Sequence, residues 1–391
     1  MTRTSVTTPG GTTTVLHVFG VMDRGGAELC FVDLLRRFDP DRVRFVFVTL
    51  TGRPGALAGE IASLGGSVRA CRLGPGFPVR FLRLLRELRP DVVHSHVATF
   101  SGVILLFARA VGVRRRVAHL HSTNDRHGQS LRGRAQRRVL RRLIDWLATD
   151  IIAVAEGVMT GMWRADWQRD RRCRVLYNGL DFTAFARAIE AAETPAAVPA
   201  ETPAAVPAEI ARAPRSIVHV GRPHPVKNRS GAVEVLTALH QAGVPARLRI
   251  VGREDPRESA DLRRRAERGG VTHALELAGE SFDVPGVLVA ADLMLLTSHH
   301  EGLPTVVLEA RAVGTPVLAP DLPGVVEIAG LLGGVTTVPQ GAAPEVWAAA
   351  AAGLLTTTPT PRERRRALRE FGSSPFVMER WHRELSRVWE Q

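Results

Sequence analysis

The chain has 391 residues, of which 45% are hydrophobic and 36 are glycine, and its formal net charge is +13. This length exceeds what one hydrophobic core usually organises, so we expect two domains of ordinary size. The composition excludes disordered and fibrous proteins and favours a globular α/β protein. The positive charge would attract nucleic acids, anionic lipids or phosphorylated substrates. A coding bias toward arginine would raise the charge without any function, so both interpretations stay open at this point.

The three cysteines, Cys30, Cys71 and Cys173, are widely spaced and form no Cys-x-x-Cys pair. This pattern indicates a reducing compartment and argues against a disulfide framework or a structural zinc site. The amino terminus is polar and lacks the apolar core of a signal peptide. No apolar stretch is long enough to span a bilayer, since the run at residues 103–107 soon meets an arginine. We therefore expect a cytoplasmic protein that is either free or peripheral at the inner membrane face.

Apolar runs of strand length alternate with longer amphipathic runs in the first half of the chain. The first predicted strand, residues 15–19, is followed by a predicted helix at 26–37. Further predicted strands are residues 45–48, 91–94, 117–121, 151–154 and 173–177. Strands separated by helices imply parallel βαβ units in a sheet that is covered on both faces. The pattern predicts a Rossmann-like domain over residues 1–185.

An alanine- and proline-rich segment, residues 186–213, follows and contains an octapeptide that occurs twice, at 193–200 and 201–208. Its prolines forbid a continuous helix, so we predict a semi-extended linker. Residues 214–372 alternate again and predict a second doubly wound domain, with strands at 217–220, 248–251, 275–277, 293–296 and 316–318. Residues 373–391 are predicted to end in a helix that packs back toward the first domain. Because such sheets bind ligands at the carboxyl ends of their strands, we expect a central cleft between the two domains.

Lys227 is the only lysine of the chain, and every other member of the 52 Lys and Arg residues is arginine. A bias that has replaced lysine everywhere else indicates that this position needs a compact ammonium on a flexible stem. Arg222 lies five positions earlier, and two prolines stiffen the loop between the two cations. We interpret Arg222 and Lys227 as a clamp for one diphosphate.

The segment from Ser298 to Glu309 follows a predicted strand and opens a helix. Gly302 permits a close backbone approach, and Pro304 fits the first helical turn. Free N–H groups at such a helix start form a site of positive potential for an anion. Since phosphate would repel the carboxylates of Glu301 and Glu309, we expect both to accept hydrogen bonds from ligand hydroxyls. An ordinary helix cap with a solvated glutamate explains this segment equally well when it is taken alone.

The first turn of the chain joins strand to helix through Gly25 and Gly26. The amides of this pair are candidates to face a diphosphate, although an ordinary strand-to-helix turn is the alternative. The turn is not a Gly-x-Gly-x-x-Gly sequence, so a dinucleotide cofactor is not expected.

Taken in chain order, these motifs resemble retaining glycosyltransferases of family 4, which have the GT-B fold. The resemblance covers nearly the whole chain and implies an α/β protein of two Rossmann-like, doubly wound domains that face a central cleft. The matching segments are residues 25–28, 91–96, 121–123, 178–181, 220–222 with Lys227, and 301–309.

The resemblance implies that a nucleotide-diphosphate sugar binds mostly to the second domain. Arg222 and Lys227 would contact the diphosphate, Glu309 the ribose and Glu301 the hydroxyls of the transferred sugar. His121 matches the family's histidine near the reacting centre, although a buried structural histidine is the alternative at this position. The further donor contacts implied are Gly25, Gly26, the backbone at Gly279 and Glu280 for the base, and the backbone of Gly302, Leu303, Pro304, Thr305 and Val306 for phosphate and sugar.

The implied reaction moves a hexose or an N-acetylhexosamine, with UDP as the favoured nucleotide, to a hydroxyl acceptor of a polysaccharide, a glycolipid or a secondary metabolite. The nucleotide sugar is a co-substrate, and no cofactor is expected. Asp39 and Asp41 match the Asp-x-Asp of metal-dependent sugar transferases of another fold, but they lie between a helix and a strand, so we interpret them as a turn and expect no metal. Pro323 stands where the family usually has a second glycine, which leaves the donor sugar open.

Residues 132–143 predict a helix that starts at Arg132, has a basic face and carries the apolar residues Val139, Leu140 and Leu143. Such a helix would rest on anionic lipid near a lipid-linked acceptor, or its charge would reflect only the arginine bias. Two other functions stay open: a nucleotide-sugar epimerase of the same fold, and a basic nucleic-acid-binding protein. Aromatic residues make up only 5% of the chain and no stacking module occurs, so no nucleic-acid partner is expected. A pyridoxal-phosphate Schiff base on Lys227 is a weaker alternative.

Overall fold

The computed structural model of the protein describes residues 12–123, 130–194 and 214–390. The chain divides into two compact units, of which the first comprises Met1–Gly179 with Pro375–Gln391 and the second Leu180–Ser374. The predicted linker begins inside the second unit, where residues 186–193 are helical. Nearly all of its repeat lies outside the described residues.

Thirteen strands and fifteen α-helices are assigned within the described residues. The strands are β1 (Thr13–Phe19), β2 (Val43–Thr49), β3 (Ser67–Ala70), β4 (Val92–Ser95), β5 (Arg115–Leu120), β6 (Asp150–Ala153), β7 (Cys173–Val175), β8 (Arg215–Val220), β9 (Ala246–Val251), β10 (Leu275–Leu277), β11 (Leu293–Leu295), β12 (Val317–Pro320) and β13 (Val335–Val338). The helices are α1 (Gly26–Leu35), α2 (Ala58–Ser63), α3 (Phe77–Leu88), α4 (Ser101–Ala110), α5 (Leu131–Leu147), α6 (Glu156–Val158), α7 (Thr183–Glu193), α8 (Arg229–Gln241), α9 (Pro256–Arg268), α10 (Val284–Val289), α11 (Thr305–Ala312), α12 (Pro323–Leu331), α13 (Pro344–Leu354), α14 (Pro361–Gly372) and α15 (Met378–Glu390).

The first unit contains a seven-stranded parallel sheet with the order β3-β2-β1-β4-β5-β6-β7. Its central strands are buried along most of their length because helices cover both faces, as in β1, where Val15, Leu16 and Val18 are fully buried. The strand order reverses between β1 and β4, so the loops that follow these two strands diverge and leave a crevice at their carboxyl ends.

Helix α15 completes the core of the first unit. It contributes Trp381, Leu385 and Trp389 to the cluster that includes Phe31 of α1, and the rings of Phe31 and Trp381 lie 4.9 Å apart. Gly179 permits this packing, since a Cβ there would lie 2.7 Å from the Cα of Met378. The Asn-Gly turn at residues 178 and 179 is therefore also the place where α15 approaches the backbone.

The second unit contains a six-stranded parallel sheet with the order β10-β9-β8-β11-β12-β13. Its core joins apolar residues of β8, β9, α8 and α13, among them Ile217, Leu248 and Leu239. The order reverses between β8 and β11, which puts a second ligand crevice where the loops after these strands begin. The two α/β units confirm the predicted fold class.

Candidate active site

The loop after β8 carries both predicted cations and is closely tied to its surroundings. A 3-10 turn spans Pro225–Lys227, and the Nδ1 atom of His224 accepts a hydrogen bond from the N–H of Val226 at 3.2 Å. Asn228 then adopts a left-handed conformation, with a φ of 47°, and its side chain caps α8 by accepting from the N–H of Gly231. This sharp turn sets the direction in which the Lys227 side chain leaves the loop.

Thr297 and His299, which follow β11, bind the same loop through hydrogen bonds. The Thr297 hydroxyl donates to the carbonyl oxygen of Asn228 at 2.7 Å, and the His299 N–H donates to that of Val226 at 2.8 Å. Buried His219 of β8 donates from Nε2 to the Lys227 carbonyl at 3.3 Å. Burial, the largest cause, lowers the pKa of His219 to about 4, so this imidazole is neutral near pH 7.

The Lys227 ammonium forms an ion pair with Glu301, with 2.6 Å between Nζ and Oε1. Only 22% of the lysine side chain and 12% of the glutamate side chain are exposed. The pair joins the loops after β8 and β11, which are the two strands at the reversal of the strand order. The structure therefore brings Lys227 and Glu301 together at the place where a doubly wound sheet binds its ligand.

Helix α11 starts at Thr305, four residues after Glu301, and no side chain caps its amino terminus. Pro304 was predicted to lie inside the first helical turn. It lies instead at the N-cap position, directly before the first helical residue. The backbone at Gly302, Leu303 and Pro304 is buried, while Thr305 is half-buried. Uncapped N–H groups beside an ammonium form a site that favours an anion.

The start of α12 supports the turn at Gly302. A Cβ atom on Gly324 would overlap the carbonyl oxygen of Gly302, so only glycine fits at that position. Pro323 stands at the first helical position of α12, where a proline lacks no hydrogen bond that the helix needs. The departure from the family pattern at this proline thus leaves the essential glycine in place.

The remaining predicted donor residues of the second unit lie at the same edge of its sheet. Gly279 has a φ of 68° and its carbonyl accepts a hydrogen bond from the Gly252 N–H at 2.8 Å. A Cβ on Gly252 would overlap the Gly221 carbonyl, so the turns after β8, β9 and β10 touch one another. Glu280 and Arg222 are exposed, and Glu309 is half-buried in α11.

Arg229 stabilises the loops at this edge of the second sheet, and the sequence did not predict this role. Its side chain is 3% exposed, donates to the carbonyl oxygens of Gly221 and Arg253 and pairs with Glu258 at 3.3 Å. Burial lowers the pKa of this guanidinium from its usual value. Arg229 is the first residue of α8 and directly follows the loop that contains Lys227. This position was the sequence feature from which its role could have been predicted.

In the first unit, Gly25 and Gly26 lie at the carboxyl end of β1, where Gly25 precedes the first turn of α1. The Glu28 carboxylate folds back over Gly25, and a Cβ on that glycine would overlap it. The Gly25 N–H already donates to the Asp23 carbonyl at 2.8 Å. The sharp turn thus explains why a glycine occupies position 25, while Gly26 is exposed.

Five histidines of the first unit lie side by side on one face of its sheet, and His121 is one of them. They are His17 of β1, His94 of β4, His96 directly after β4, His119 of β5 and His121 directly after β5. Neighbouring rings are stacked or tilted, with 4.2 Å between His119 and His121 and 4.4 Å between His94 and His96. No local sequence pattern indicates this array, because its members come from three separate strands.

Hydrogen bonds divide the array into two strings. In the first string, the Trp389 indole N–H donates to His94 Nδ1 at 3.3 Å, and His94 Nε2 lies 3.1 Å from His119 Nδ1. An indole only donates, so neutral His94 carries its proton on Nε2 and donates to His119, whose proton is then on Nε2. The second string links His17 Nδ1 to His96 Nε2 at 3.1 Å and His96 Nδ1 to His121 Nε2 at 2.9 Å.

Two sets of three histidines have nitrogen atoms near enough for one metal ion: His17, His94 and His96, and His96, His119 and His121. Each set includes a member of the Trp389 string. For His94 or His119 to offer a lone pair to a metal, a bond of that string would have to break. The hydrogen-bond pattern therefore favours two strings of neutral imidazoles over a metal centre.

Burial keeps all five imidazoles neutral. It lowers the pKa of His17 and of His121 to about 3. The pKa values of His94, His96 and His119 also fall well below the ordinary range, mainly through burial and secondarily through the neighbouring histidines. His121 is thus a neutral hydrogen-bonding group near pH 7.

Helix α5 contains the predicted basic segment, but its apolar residues are divided differently from the sequence expectation. Leu140 is buried in the core, Leu143 is half-buried, and only Val139 of the three is exposed. Leu131, Val139 and Trp146 are 77%, 56% and 75% exposed, and at 100° per residue they fall within about 80° of one helix face.

Beside this apolar face lies an arginine-lined concavity of about 450 Å³. It is lined by Arg134, Arg137, Arg138, Arg141, Arg142 and Arg164, together with Asp145 and Trp163. The Arg141 and Arg164 guanidinium groups lie 5.8 and 5.0 Å from the Trp163 ring centre. Burial and, next, Arg164 and Arg137 lower the pKa of Arg141, which indicates that positive charge is crowded here.

Two sequence families match adjoining parts of the chain. The family described as "Glycosyltransferase Family 4" matches residues 24–184, and that described as "Glycosyl transferases group 1" matches residues 214–357. EpsF of Bacillus subtilis (strain 168), which is named as a glycosyltransferase, is 32% identical over 313 residues, or 78% of this chain and 79% of EpsF. The chain belongs to glycosyltransferase family 4.

Other glycosyltransferases are similar to this family 4 enzyme over most of its length. The capsular polysaccharide biosynthesis glycosyltransferase CapH of Staphylococcus aureus is 25% identical over 300 residues, or 76% of this chain and 78% of CapH. The crystal structure of Anabaena HepE in complex with UDP and glucose matches with a TM-score of 0.73 at 20% identity, over 95% of this chain and 98% of HepE. This structural similarity confirms the GT-B fold.

The buried histidines of this glycosyltransferase predict a loss of stability in mild acid. Unfolded histidine binds a proton below about pH 6.5, whereas the folded array stays neutral far below that pH, so stability falls as the pH drops from about 6.5 toward 3. Each excluded proton costs on the order of 1 kcal/mol between pH ~7 and ~5.5, so the array should lower the free energy of unfolding by several kcal/mol over this range. Urea unfolding followed by circular dichroism at both pH values measures the difference.

The matched variant for this measurement is His17→Phe, which fits among aromatic neighbours. Its pH dependence should be shallower than that of the native chain by about one proton. Equal stability of the native chain at both pH values would contradict the buried neutral array.

The contact between Gly324 and Gly302 predicts a sensitive site in the same enzyme. Gly324→Ala should cost about 1–3 kcal/mol of stability and weaken donor binding, because the added Cβ displaces the Gly302 carbonyl beside Glu301. Gly330→Ala in the same helix is the control, since a Cβ there meets nothing within 4 Å. Urea unfolding and the KM for donor are the measurements, and similar values for the two variants would refute the close contact.

Proposed function

We propose that this glycosyltransferase moves a hexose or an N-acetylhexosamine from a nucleotide-diphosphate sugar to a hydroxyl acceptor with retention of the anomeric configuration. The observation that carries the proposal is the Lys227–Glu301 pair beside the uncapped start of α11, at the reversal of the strand order. An ammonium, uncapped N–H groups and a carboxylate in one place suit a ligand that has both phosphate and hydroxyl groups.

The proposed roles follow from charge. Lys227 and the exposed guanidinium of Arg222 contact the diphosphate, and Glu301 turns from Lys227 to hydroxyls of the transferred sugar. Negative charge grows on the leaving diphosphate as the anomeric carbon becomes oxocarbenium-like, and cations already in place stabilise that charge more in the transition state than in the ground state. These cations take the role that a metal ion has in other sugar transferases, so we propose a metal-independent reaction without a cofactor.

We propose the other contacts with the donor from the positions of the residues that match the family's motifs. Glu309 binds the ribose, the backbone near Gly279 and Glu280 meets the base, and the backbone from Gly302 to Val306 holds phosphate and sugar. Gly25, Gly26 and His121 of the first unit complete the set. In the front-face route, the departing phosphate takes the proton of the acceptor hydroxyl, so His121 is not needed as a base.

The HepE structure, which contains UDP and glucose, supports UDP as the first nucleotide to test. EpsF and the capsular polysaccharide enzyme CapH support a polysaccharide or a glycolipid intermediate as the acceptor, ahead of a secondary metabolite. A saturation-transfer and thermal-shift screen of UDP-, GDP- and dTDP-sugars tests the donor site and identifies the base. Binding of none of the three sugar classes would refute the proposal.

Lys227→Ala should lower kcat/KM about ten- to a hundredfold, which corresponds to the loss of a charge-assisted contact of roughly 1.5–3 kcal/mol. The control is Arg249→Ala, which removes an exposed cation of the same unit that pairs with exposed Glu276. Steady-state kinetics with the donor found in the screen measure both variants. Unchanged activity of Lys227→Ala would contradict the diphosphate clamp.

We also propose that α5 rests on an anionic membrane at the inner, cytoplasmic face, near a lipid-linked acceptor. Leu131, Val139 and Trp146 would enter the interface, and the arginines beside them would meet the lipid phosphates. No helix of the described part of the chain combines the length and the apolar character required to cross a bilayer.

Trp146→Ser should lower binding to vesicles that contain phosphatidylglycerol about tenfold, since the indole no longer buries apolar surface in the interface. Phe282→Ser is the control, because it removes an aromatic ring that is 81% exposed in the second unit. Sedimentation with anionic and with neutral vesicles at physiological salt is the measurement. Equal retention on both vesicle types would rule out the membrane contact.

A further inference from the structure

The arginine-lined concavity beside α5 holds much more positive than negative charge. Within the described part of the chain, six guanidinium groups and a single carboxylate, that of Asp145, line it. This carboxylate is already shared by Arg164 and Arg172, whose terminal nitrogens lie 2.9 and 2.8 Å from its Oδ1 atom. Like charges held together raise the free energy of the folded chain, and a bound anion lowers it. The concavity therefore has the charge of an anion site.

The wall that contains Trp163 holds part of this charge in place. Trp163 is 3% exposed, and the guanidinium groups of Arg141 and Arg164 lie over its ring. Arg164 is also tied to Asp145, which Arg172 holds from the other side. Cations that are ordered before a ligand arrives lose less side-chain entropy on binding. These arginines thus differ from solvated arginines on an open helix face.

The concavity is open to a ligand, because none of its six arginines is buried. Those of α5 recur at intervals of three or four residues, so together with Asp145 they follow one side of the helix for about 16 Å. Each guanidinium can bind a phosphate group through two N–H donors, and groups one helical turn apart can bind neighbouring phosphates. The spacing suits an anion with at least two linked phosphate groups.

The concavity also adjoins the apolar face of α5. At 100° per residue, Arg138 and Arg142 fall within about 20° of Leu131 around the helix. Leu131, Val139 and Trp146 are the exposed apolar residues that would enter a membrane interface. An anion in the concavity would then lie at the level of the lipid head groups. A ligand with linked phosphates and an apolar chain matches both surfaces.

A nucleic acid would use the charge of the concavity but not the apolar face. Single-stranded nucleic acids bind through bases that stack on exposed aromatic rings. Trp163 is the aromatic residue of the lining, and it is buried under two guanidinium groups. Leu131 and Trp146 would stay in water in such a complex. The structure therefore favours a lipid over a nucleic acid.

We infer that the arginine-lined concavity binds the diphosphate group of a membrane lipid. The inference rests on the proposed function, in which α5 lies on a membrane near a lipid-linked acceptor, and it names the group by which that acceptor is held. The acceptor is then a sugar joined to its lipid through a diphosphate. The diphosphate lies in the concavity, and the lipid chain enters the bilayer beside Trp146.

Isothermal titration calorimetry with inorganic pyrophosphate tests the concavity without a membrane. Arg138→Gln combined with Arg142→Gln should weaken one pyrophosphate site at least about tenfold, since two charge-assisted contacts are lost. Inorganic phosphate should bind that site at least about tenfold more weakly than pyrophosphate. The control is Arg83→Gln combined with Arg86→Gln, which removes the same charge from the exposed surface of α3. Equal binding by the two double variants would overturn the inference.

Under the proposed function the diphosphate clamp of the second unit is another pyrophosphate site, and Lys227→Ala separates the two. Pyrophosphate should still bind the concavity in Lys227→Ala, and complete loss of binding in this variant would overturn the inference. If the native chain binds no nucleotide sugar while Arg138→Gln with Arg142→Gln loses pyrophosphate, the proposed sugar transfer fails and the diphosphate site stands.

Vesicle sedimentation distinguishes a lipid diphosphate from a free one. Phosphatidylcholine vesicles that contain a long-chain isoprenoid diphosphate should bind the native chain at least about tenfold better than vesicles of equal surface charge that contain phosphatidylglycerol. Arg138→Gln with Arg142→Gln should abolish this preference, and the α3 control should keep it. A native chain without the preference would assign the concavity to soluble diphosphates and overturn the lipid assignment. Single-stranded DNA that displaces pyrophosphate from the concavity and binds it more tightly would also overturn it.

Discussion

One ion pair, between Lys227 and Glu301, joins the two loops on which the candidate site depends. The loops follow β8 and β11, which are adjacent strands of a parallel sheet, so both chain segments leave the sheet at the same edge. Hydrogen bonds from Thr297 and the backbone of His299 hold the first loop against the second. In the ligand-free state the carboxylate neutralises the ammonium. Under the proposed function, an arriving diphosphate would repel the carboxylate and attract the ammonium, so the two groups would exchange partners and neither charge would be buried alone.

The histidine array makes a different use of burial. An apolar core would be more stable than one with five imidazoles, since each imidazole excludes a proton that the unfolded chain accepts. The strings offset this cost by pairing most of the ring nitrogens with one another, and the unpaired atoms lie at the string ends. A paired imidazole in a rigid sheet has a defined tautomer and orientation, which a solvated histidine lacks. The array therefore holds the His121 ring in a defined orientation through its contact with His96.

Much of the fold could be read from the sequence, because central strands such as β1 and β8 are apolar runs bounded by helices. Two of the four edge strands, β3 and β13, were missed, since their sequences, Ser-Val-Arg-Ala and Val-Thr-Thr-Val, carry polar residues that weaken the apolar signal. The sequence placed Lys227 and Glu301 at the same cleft, but it did not predict their ion pair. Arg229, Gly324 and the histidine strings were not found, because they depend on contacts between distant segments that no local pattern encodes. The roles of the site residues stay predictions.

The contribution of α15 to the first core has a consequence for biosynthesis. The chain leaves the first unit at Gly179, passes through the whole second unit and returns only at Pro375. While the ribosome is making the second unit, the nascent first unit lacks Trp381, Leu385 and Trp389, and it exposes the aromatic surface that they later cover. Folding of this half is therefore completed after translation of the second half, and during that interval it is a natural client for chaperones that bind exposed apolar surface.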